Sequence, residues 1–385
     1  MIKITRIKKN LTKFTFPRLS GTEFELKAFN KLKQEIEDLN LEFEVQKFTF
    51  STFYSRIYPK ISFFSVSLML FLFYLTIFVT MSLILGIILF SIVIISVLLT
   101  RKPEKIQFIS KLNSQNLLVK IKSISDDIKN KDRIVLFTSH LDSKGQRFRI
   151  KTRIRIIKLW FYTSIILTVI IILKILILGF ELMFYVIGLF PVILNMFASI
   201  LILLNTTNNS SEGAVDNASG IVCNLEMLHY YNIPENRLTN YNMWFLFTGA
   251  EECGTMGIRH FYNNLENFDP DKSIAFDFES ITNYIILFPG GKEIDHAKDI
   301  NYLLLNNNRN LAIKNHSTNR IFGTHSDGGF LGDKGFQGYG IGGAGAHAYM
   351  HTSNDTIDKV NPPILKRLCL VLTDALKKHD SNFFK

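Results

Sequence analysis

Cysteine is scarce in this chain: Cys223, Cys253 and Cys369 lie far apart, with no C-x-x-C spacing among them. That excludes a disulfide framework and a thiolate zinc site, and it suits a reducing compartment. The N-terminus, Met1 to Arg18, is basic but lacks the uninterrupted apolar core of a signal peptide, so nothing there reads as cleavable. Charge is missing altogether from Ile61 to Thr100. One helix of that length would run about 60 Å, twice a hydrocarbon core of roughly 30 Å. A hairpin of two spans is therefore expected, turning at Thr80, Met81 and Ser82, with Lys60 before it and Arg101, Lys102 and Pro103 after it on one side.

A second apolar run extends from about Ile157 to Leu204, interrupted by Lys174 and by Gly179, Phe180 and Glu181. It reads as a second hairpin with its turn at Gly179, Lys174 snorkelling to the far interface. The 385 residues are 47% hydrophobic and 13% aromatic, high for a soluble enzyme, which agrees with four membrane spans. The net charge of +11 at first suggests nucleic acid. Position argues otherwise: Lys144, Arg147, Arg149, Lys151, Arg153, Arg155 and Lys158 lie directly before the second hairpin with no acidic residue among them. Lys144 to Lys158 are expected among anionic headgroups of a bilayer, with no nucleic-acid partner. By the positive-inside rule the polar segments all face the cytoplasm.

The expected organisation is then one peptide-chain domain interrupted twice: 1–60, 101–156 and 205–385 form an α/β domain, and 61–100 and 157–204 are the hairpins of a multi-pass membrane protein. Thr22 and Glu25 form a capping box for a helix that buries Phe29, Leu32, Ile36 and Leu39, and Leu41, Phe43 and Val45 alternate as a strand. Further strands are predicted at Leu117–Ile121, Ile134–Thr138, Met243–Phe247 and Ile274–Phe278, and helices at Ala218–Tyr230, Met256–Asn264 and Pro363–Lys378. This alternation predicts a mixed, mostly parallel sheet flanked by helices, with functional residues at the carboxyl ends of its strands.

Chemistry-bearing residues stand at those ends. The strand at Ile134 leads into Ser139-His140-Leu141-Asp142, and period-two geometry gives His140 and Asp142 one face, so that a carboxylate can orient a metal-binding imidazole. Asp216 precedes a helix start in Gly213–Gly220, where an aspartate is commonly a cap. Glu251 and Glu252 follow a buried strand, a costly position unless a cation balances them. Asp277 is embedded in an apolar strand and needs a partner, and His351 follows a glycine-rich loop. Two histidines with three to four carboxylates suit zinc, and also cobalt or manganese.

In order and wording, "R-L-S-G-T-E-F-E", "T-S-H-L-D-S", "G-A-V-D-N-A-S-G", "F-T-G-A-E-E-C-G" and "H-T-S-N-D-T-I-D" resemble the aminopeptidase Y family of two-zinc exopeptidases. That family also contains bacterial leucyl aminopeptidases and, more distantly, glutaminyl cyclases. The match covers nearly everything outside the hairpins and implies a zinc-exopeptidase fold acting on peptide substrates. It further implies two Zn2+ per chain, with Asp216 bridging, His140 and Asp277 completing one site, and Glu252 and His351 the other. Asp142 would support His140. Glu251 would be the general base that takes a proton from the metal-bridging water. Tyr349 is open to an oxyanion role but reads better as packing, and the stretch from Phe322 to His347, with Ser326 and Asp327, resembles the family's approach to the last ligand. The implied activity is hydrolysis of an amino-terminal peptide bond; the alternatives are acyl transfer of the glutaminyl cyclase kind, with one zinc, and a non-catalytic receptor or scaffold. Substrate preference and oligomeric state are not legible in the sequence.

Overall fold

Apolar residues fill three of the strands so continuously that each must be covered on both faces. In the computed structural model, which describes residues 1–75, 79–106, 109–125, 133–177, 179–265, 269–290, 295–316 and 326–381, they are. The elements run α1 (Ile4–Phe14), α2 (Glu23–Glu37), β1 (Glu44–Ser51), α3 (Tyr58–Leu75), α4 (Val79–Thr100), β2 (Lys111–Ile121), β3 (Ile134–His140), β4 (Gly145–Gln146), α5 (Ile150–Leu176) and α6 (Glu181–Leu204). There follow β5 (Thr207–Asn208), α7 (Ser219–Tyr231), β6 (Asn242–Thr248), α8 (Met256–Asn263), β7 (Ile274–Glu279), β8 (Ile285–Gly290), α9 (Asp295–Leu305), β9 (Ile313–Asn315), α10 (Asp327–Asp333), β10 (Gln337–Gly343) and α11 (Pro362–Ser381).

The chain divides into two compact units, one of residues 1–50, 112–145 and 209–385, the other of residues 51–111 and 146–208. The lines drawn at 60, 101, 156 and 205 follow the apolar runs alone; the units part further out, because the polar residues flanking each run group with its helices.

The first unit is built on an eight-stranded sheet of order β1-β2-β6-β3-β7-β10-β8-β9. Pairing is parallel between β6 and β3, β3 and β7, β7 and β10, and β8 and β9, and antiparallel between β2 and β6 and between β10 and β8. Period-two geometry sends Val135, Phe137, Phe245, Phe247, Phe276 and Phe278 into one core, shared with α1, α2, α7 and α11. There Phe137 stacks on Phe245, Phe276 and Phe278, with ring centroids 5.3 to 6.1 Å apart. A fully buried aromatic of this kind contributes roughly 1.5–3 kcal/mol. The opposite face carries Leu136, Leu246 and Ala275 into a smaller core with Ile258 and Phe261 of α8 and Leu331 of α10. Continued to the carboxyl ends, that second face presents Thr138, His140, Thr248, Asp277 and Glu279, at nearly one height because Thr138 pairs with Asp277 and His140 with Thr248.

The capping box does not form. Thr22 is the N-cap of α2, but its hydroxyl donates to the Leu19 carbonyl, and Glu25 accepts from Gly21 N, Ser114 Oγ and Ala250 N instead. The strand expected over Leu41 to Val45 starts only at Glu44, and β8, β9 and β10 are additional to the predicted strands.

The second unit is four helices. Phe53–Leu75, Leu83–Thr100, Ile150–Leu176 and Glu181–Leu204 are each long and apolar enough, by length and composition, to cross a membrane. The first hairpin does not turn at Thr80 to Ser82, which belong to α4; its connection lies outside the described residues. The second does turn near Gly179, whose φ of 85° favours glycine. Polar side chains point inward. Asn195 Nδ2 donates to Trp160 O, Thr163 Oγ1 and Ser164 Oγ, and Trp160 Nε1 to Ser67 Oγ at 2.8 Å. Lys174 does not snorkel outward: it is buried, with Nζ 2.8 Å from the Tyr74 carbonyl and 3.5 Å from the centre of the Tyr185 ring. Large apolar side chains such as Ile87, Leu182 and Phe190 face outward.

Candidate metal centre

Each predicted site residue is fixed by the backbone around it. His140 ends β3, and its Nδ1 lies 3.1 Å from the Asp142 carbonyl. A carbonyl only accepts, so Nδ1 carries the proton and Nε2 is left as a lone-pair donor. Asp142 is fully buried; its carboxylate accepts the backbone N–H groups of Glu251 and Glu252 at 3.1 and 3.0 Å, and the Ser20 hydroxyl. It therefore ties the β3 end to the β6 end as well as flanking His140.

Asp216 sits between Gly213 and the start of α7, in a stretch that includes a cis Asp216–Asn217 peptide. Asp355 of the last motif accepts the N–H groups of Val215 and Asp216 at 2.6 and 3.1 Å. Asn217 accepts from Gly220 N and Ser280 N and donates to Phe278 O, clamping this turn to the end of β7. Gly213 has φ 63°, and a Cβ there would stand 2.6 Å from both Asp216 O and Ser143 Cβ. The buried Arg18 guanidinium donates to the carbonyls of Phe14, Phe16, Leu141, Glu212 and Gly213, joining the opening motif to the second and third. Ala250, Ser280 and His351, all non-glycine, take left-handed φ values of 53°, 54° and 60° beside the site, the kind of strain that gathers at functional positions.

These constraints bring two groups of ligand atoms together, each group within 4.8 Å: His140, Asp216 and Glu279, and Asp216, Glu252 and His351. Asp216 is shared, with Oδ1 3.2 Å from His140 Nε2 and Oδ2 3.2 Å from His351 Nε2. Glu279 Oε1 is 3.4 Å from His140 Nε2, and Glu252 Oε1 is 3.2 Å from His351 Nε2.

Asp277, expected in this role, is not in either group. Its Oδ1 accepts from Thr138 Oγ1 and its Oδ2 from Gly328 N, both at 2.7 Å. Asp277 and Glu279 share a strand face two residues apart, and the one nearer the carboxyl end reaches the rim. Read from the sequence, the ligand falls on the first acid of Asp277-Phe278-Glu279; the same spacing that ties His140 to Asp142 is the signal for the second. Below the rim, buried Asp277 faces Asp327, which accepts from Thr248 Oγ1. Burial raises both carboxyl groups, that of Asp327 strongly and with Asp277 adding to it. Ser326 caps α10 by accepting from Gly329 N, while Phe322 to His325 of the same stretch lie outside the described residues.

Lys144 also departs from expectation. It does not join a headgroup-facing stretch but holds Glu252 Oε2 at 2.6 Å, leaving Oε1 toward His351. Tyr349 packs against the larger core with Lys359 over its ring, a packing role.

A cation fits this centre. His140 Nε2, both Asp216 oxygens, Glu252 Oε1 and Glu279 Oε2 are buried without a hydrogen-bond partner, and acceptors that converge without donors need a positive charge between them. Nitrogen and carboxylate donors suit zinc. Burial would raise Asp216, but His140 and His351 hold it well below the usual carboxylate range. Burial would lower the His140 pKa, but in the chain alone Glu279, Asp142 and Asp216 push it well above normal; a cation at Nε2 would displace that second proton and leave the one on Nδ1. Glu251, buried beside these residues, is pushed well up by burial and by Glu279, Glu252 and Asp327.

Residues 193–375 match the model described as Peptidase family M28. No curated protein matches the chain. Among solved structures, an aminopeptidase from Aneurinibacillus sp. strain AM-1 superposes with TM-score 0.60 at 12% identity, over 98% of this chain and 94% of that one. A zinc aminopeptidase from Bacillus subtilis gives 0.57 at 13% identity, over 98% and 95%. A glutaminyl cyclase from Fimbriiglobus ruber gives 0.56 at 12%, over 98% and 95%. At such identities the likeness is one of fold, and it is shared by hydrolases and cyclases alike.

Proposed function

We propose that this chain is a membrane-anchored, zinc-dependent aminopeptidase. The observation that carries the reading is the pair of ligand groups joined by Asp216, with buried Glu251 beside them. His140, Asp216 and Glu279 would hold one zinc and Asp216, Glu252 and His351 the other. Two such ions would supply Lewis acidity toward the scissile carbonyl and lower the pKa of the attacking water. Glu251 would take the proton from that water and pass it to the departing amine; burial and its acidic neighbours raise its pKa in the chain alone, and cations beside it would favour the ionised form that a base needs. Asp142 keeps the His140 ring and the Glu251–Glu252 backbone in place. Lys144 fixes one oxygen of Glu252.

The four apolar helices support membrane anchoring, with both hairpins returning to the cytoplasmic side. Arg147, Arg149, Lys151, Arg153, Arg155 and Lys158, before and within the first turns of α5, are the residues assigned to anionic headgroups.

The test is hydrolysis of a panel of free and N-acetylated amino-acid amides by detergent-purified protein. Free amides should be cleaved and blocked ones spared. Glu251→Gln should lower kcat by roughly 10²–10⁴-fold with metal content unchanged. Cyclisation of amino-terminal glutamine without amide hydrolysis would favour a glutaminyl cyclase-type acyl transfer. That second reading has the shared fold behind it, and the complete His140–Asp216–Glu279 group weighs against it.

A further inference from the structure

Within the four-helix unit, a cavity of about 510 Å³ is lined by Arg56, Lys60, Phe64, Ile57, Ile61 and Ser65, with Thr52, Ser110 and Leu203 at its edges. All of these residues belong to that one unit. The volume lies in the range of small-molecule sites, roughly 300–1,000 Å³. The lining is ordered along one helix. Arg56, Lys60 and Phe64 follow one another at i, i+4 spacing, and Ile57, Ile61 and Ser65 form the adjacent row. The cavity therefore grades from two cations at the start of the first apolar helix to aromatic and aliphatic side chains further along it. Thr52 and Ser110 also line it, and Thr52 N donates to the Ser110 carbonyl at 3.3 Å. Leu203, from the last turn of α6, adds a second apolar surface.

Two cations and hydroxyls next to an apolar wall, on helices fit to span a bilayer, match the chemistry of one class of molecule. We infer that this cavity binds a single anionic phospholipid, its phosphate between Arg56 and Lys60 and its acyl chain along Ile61, Phe64 and Leu203. The inference rests on the membrane reading above. The ligand is a lipid and not free phosphate because the apolar wall continues from the charges; inorganic phosphate has nothing to place there. The site differs from a diffuse basic surface in being concave and in pairing its two charges one helical turn apart. Arg101 and Lys102, which flank the next apolar helix, do not line it.

The experiment uses the full chain and first scores the premise: flotation with phosphatidylcholine vesicles and resistance to alkaline extraction. Failure there removes the membrane reading itself, and the lipid site with it. On protein that passes, native mass spectrometry follows extraction from phosphatidylcholine vesicles doped with phosphatidylglycerol. Wild type should retain one phosphatidylglycerol through delipidation. The double variant Arg56→Gln with Lys60→Gln should retain it roughly tenfold less well or worse. Leu203→Trp, which fills the apolar side and leaves every charge, should lose it too. Arg101→Gln with Lys102→Gln removes as much charge outside the cavity and should behave as wild type. Equal losses from the two double variants, no preference of wild type for phosphatidylglycerol over phosphatidylcholine, or displacement of the lipid by inorganic phosphate would each overturn the site.

Discussion

In the four-helix unit, Asn195 Nδ2 rests on three oxygens and Lys174 Nζ on the Tyr74 carbonyl, so donors have been placed on acceptors. In the sheet unit, by contrast, Asp216 before α7, Glu252 after β6 and Glu279 at the end of β7 bring oxygens without a hydrogen-bond partner close together. Both clusters are buried, and both would be expensive if left unsatisfied. In the first, these donors find acceptors within the helices and a single acceptor, Asn195 Oδ1, is left over, so the cluster reads as packing. The second is satisfied within the chain only by protons on His140 and His351, whose place a cation would take, which is why it reads as a cation site. Burial of polar groups is thus uninformative alone; the number of orphaned acceptors and their convergence on one point distinguish function from structure.

The sharpest way to break this comparison is within the sheet unit, between two acids two residues apart. Glu279→Ala removes an orphaned acceptor and should release one of two zinc ions, with a loss of activity beyond the roughly 10–100-fold that outer partners of a metal ligand cost. Asp277→Asn alters a carboxyl group already paired with Thr138 and Gly328, and should keep both ions and lose no more than that range. Metal analysis alongside kcat decides; the reverse order would restore Asp277 as the ligand.

A smaller effect is expected at Glu25, a buried acid that does have donors. Burial outweighs its three hydrogen bonds and raises its pKa from 4.5 to about 8. The folded state therefore holds this proton more tightly than the unfolded chain, and between those two values stability falls as pH rises. Glu25→Gln cannot ionise. Its cost in thermal unfolding should be largest near the lower value and shrink toward the upper one; a cost independent of pH would mean that Glu25 is ionised throughout.

The smallest effect belongs to the four-helix unit. Asn195→Leu removes hydrogen bonds between the packed apolar helices, a kind that averages about 0.6 kcal/mol each where it has been measured in a bilayer. It should lower the unfolding midpoint by a few degrees and leave kcat and metal content as in wild type. A loss of zinc would show that the two units do not divide the labour as described.

Much of this division is legible in the amino-acid sequence. The β3, β6 and β7 strands announce themselves because both faces are apolar, and the ligands stand at their ends. What stays hidden there has physical causes. The β10 strand, Gln337–Gly343, has glycine at four of its seven positions and little strand propensity; it forms because it is paired on both sides, and Gly340 and Gly342 leave room for the Phe288 ring. Glu25 has the local spacing of a cap, yet tertiary structure recruits it to the Ala250 loop. Lys174 suits an interface by its charge, but the Tyr74 carbonyl and the Tyr185 ring give it a buried place. Glu279 is masked by Asp277, which is the first acid of the strand and already fills the expected count of ligands.

Metal content tests the two-zinc centre without intermediaries: detergent-purified wild-type protein is measured by inductively coupled plasma mass spectrometry beside its hydrolysis of amino-acid amides. Two zinc ions per chain are expected, with activity lost on chelation and regained with zinc. A chain that takes up no divalent metal, or hydrolyses amides equally well without it, would contradict the assignment of Asp216 and its neighbours as a catalytic metal centre.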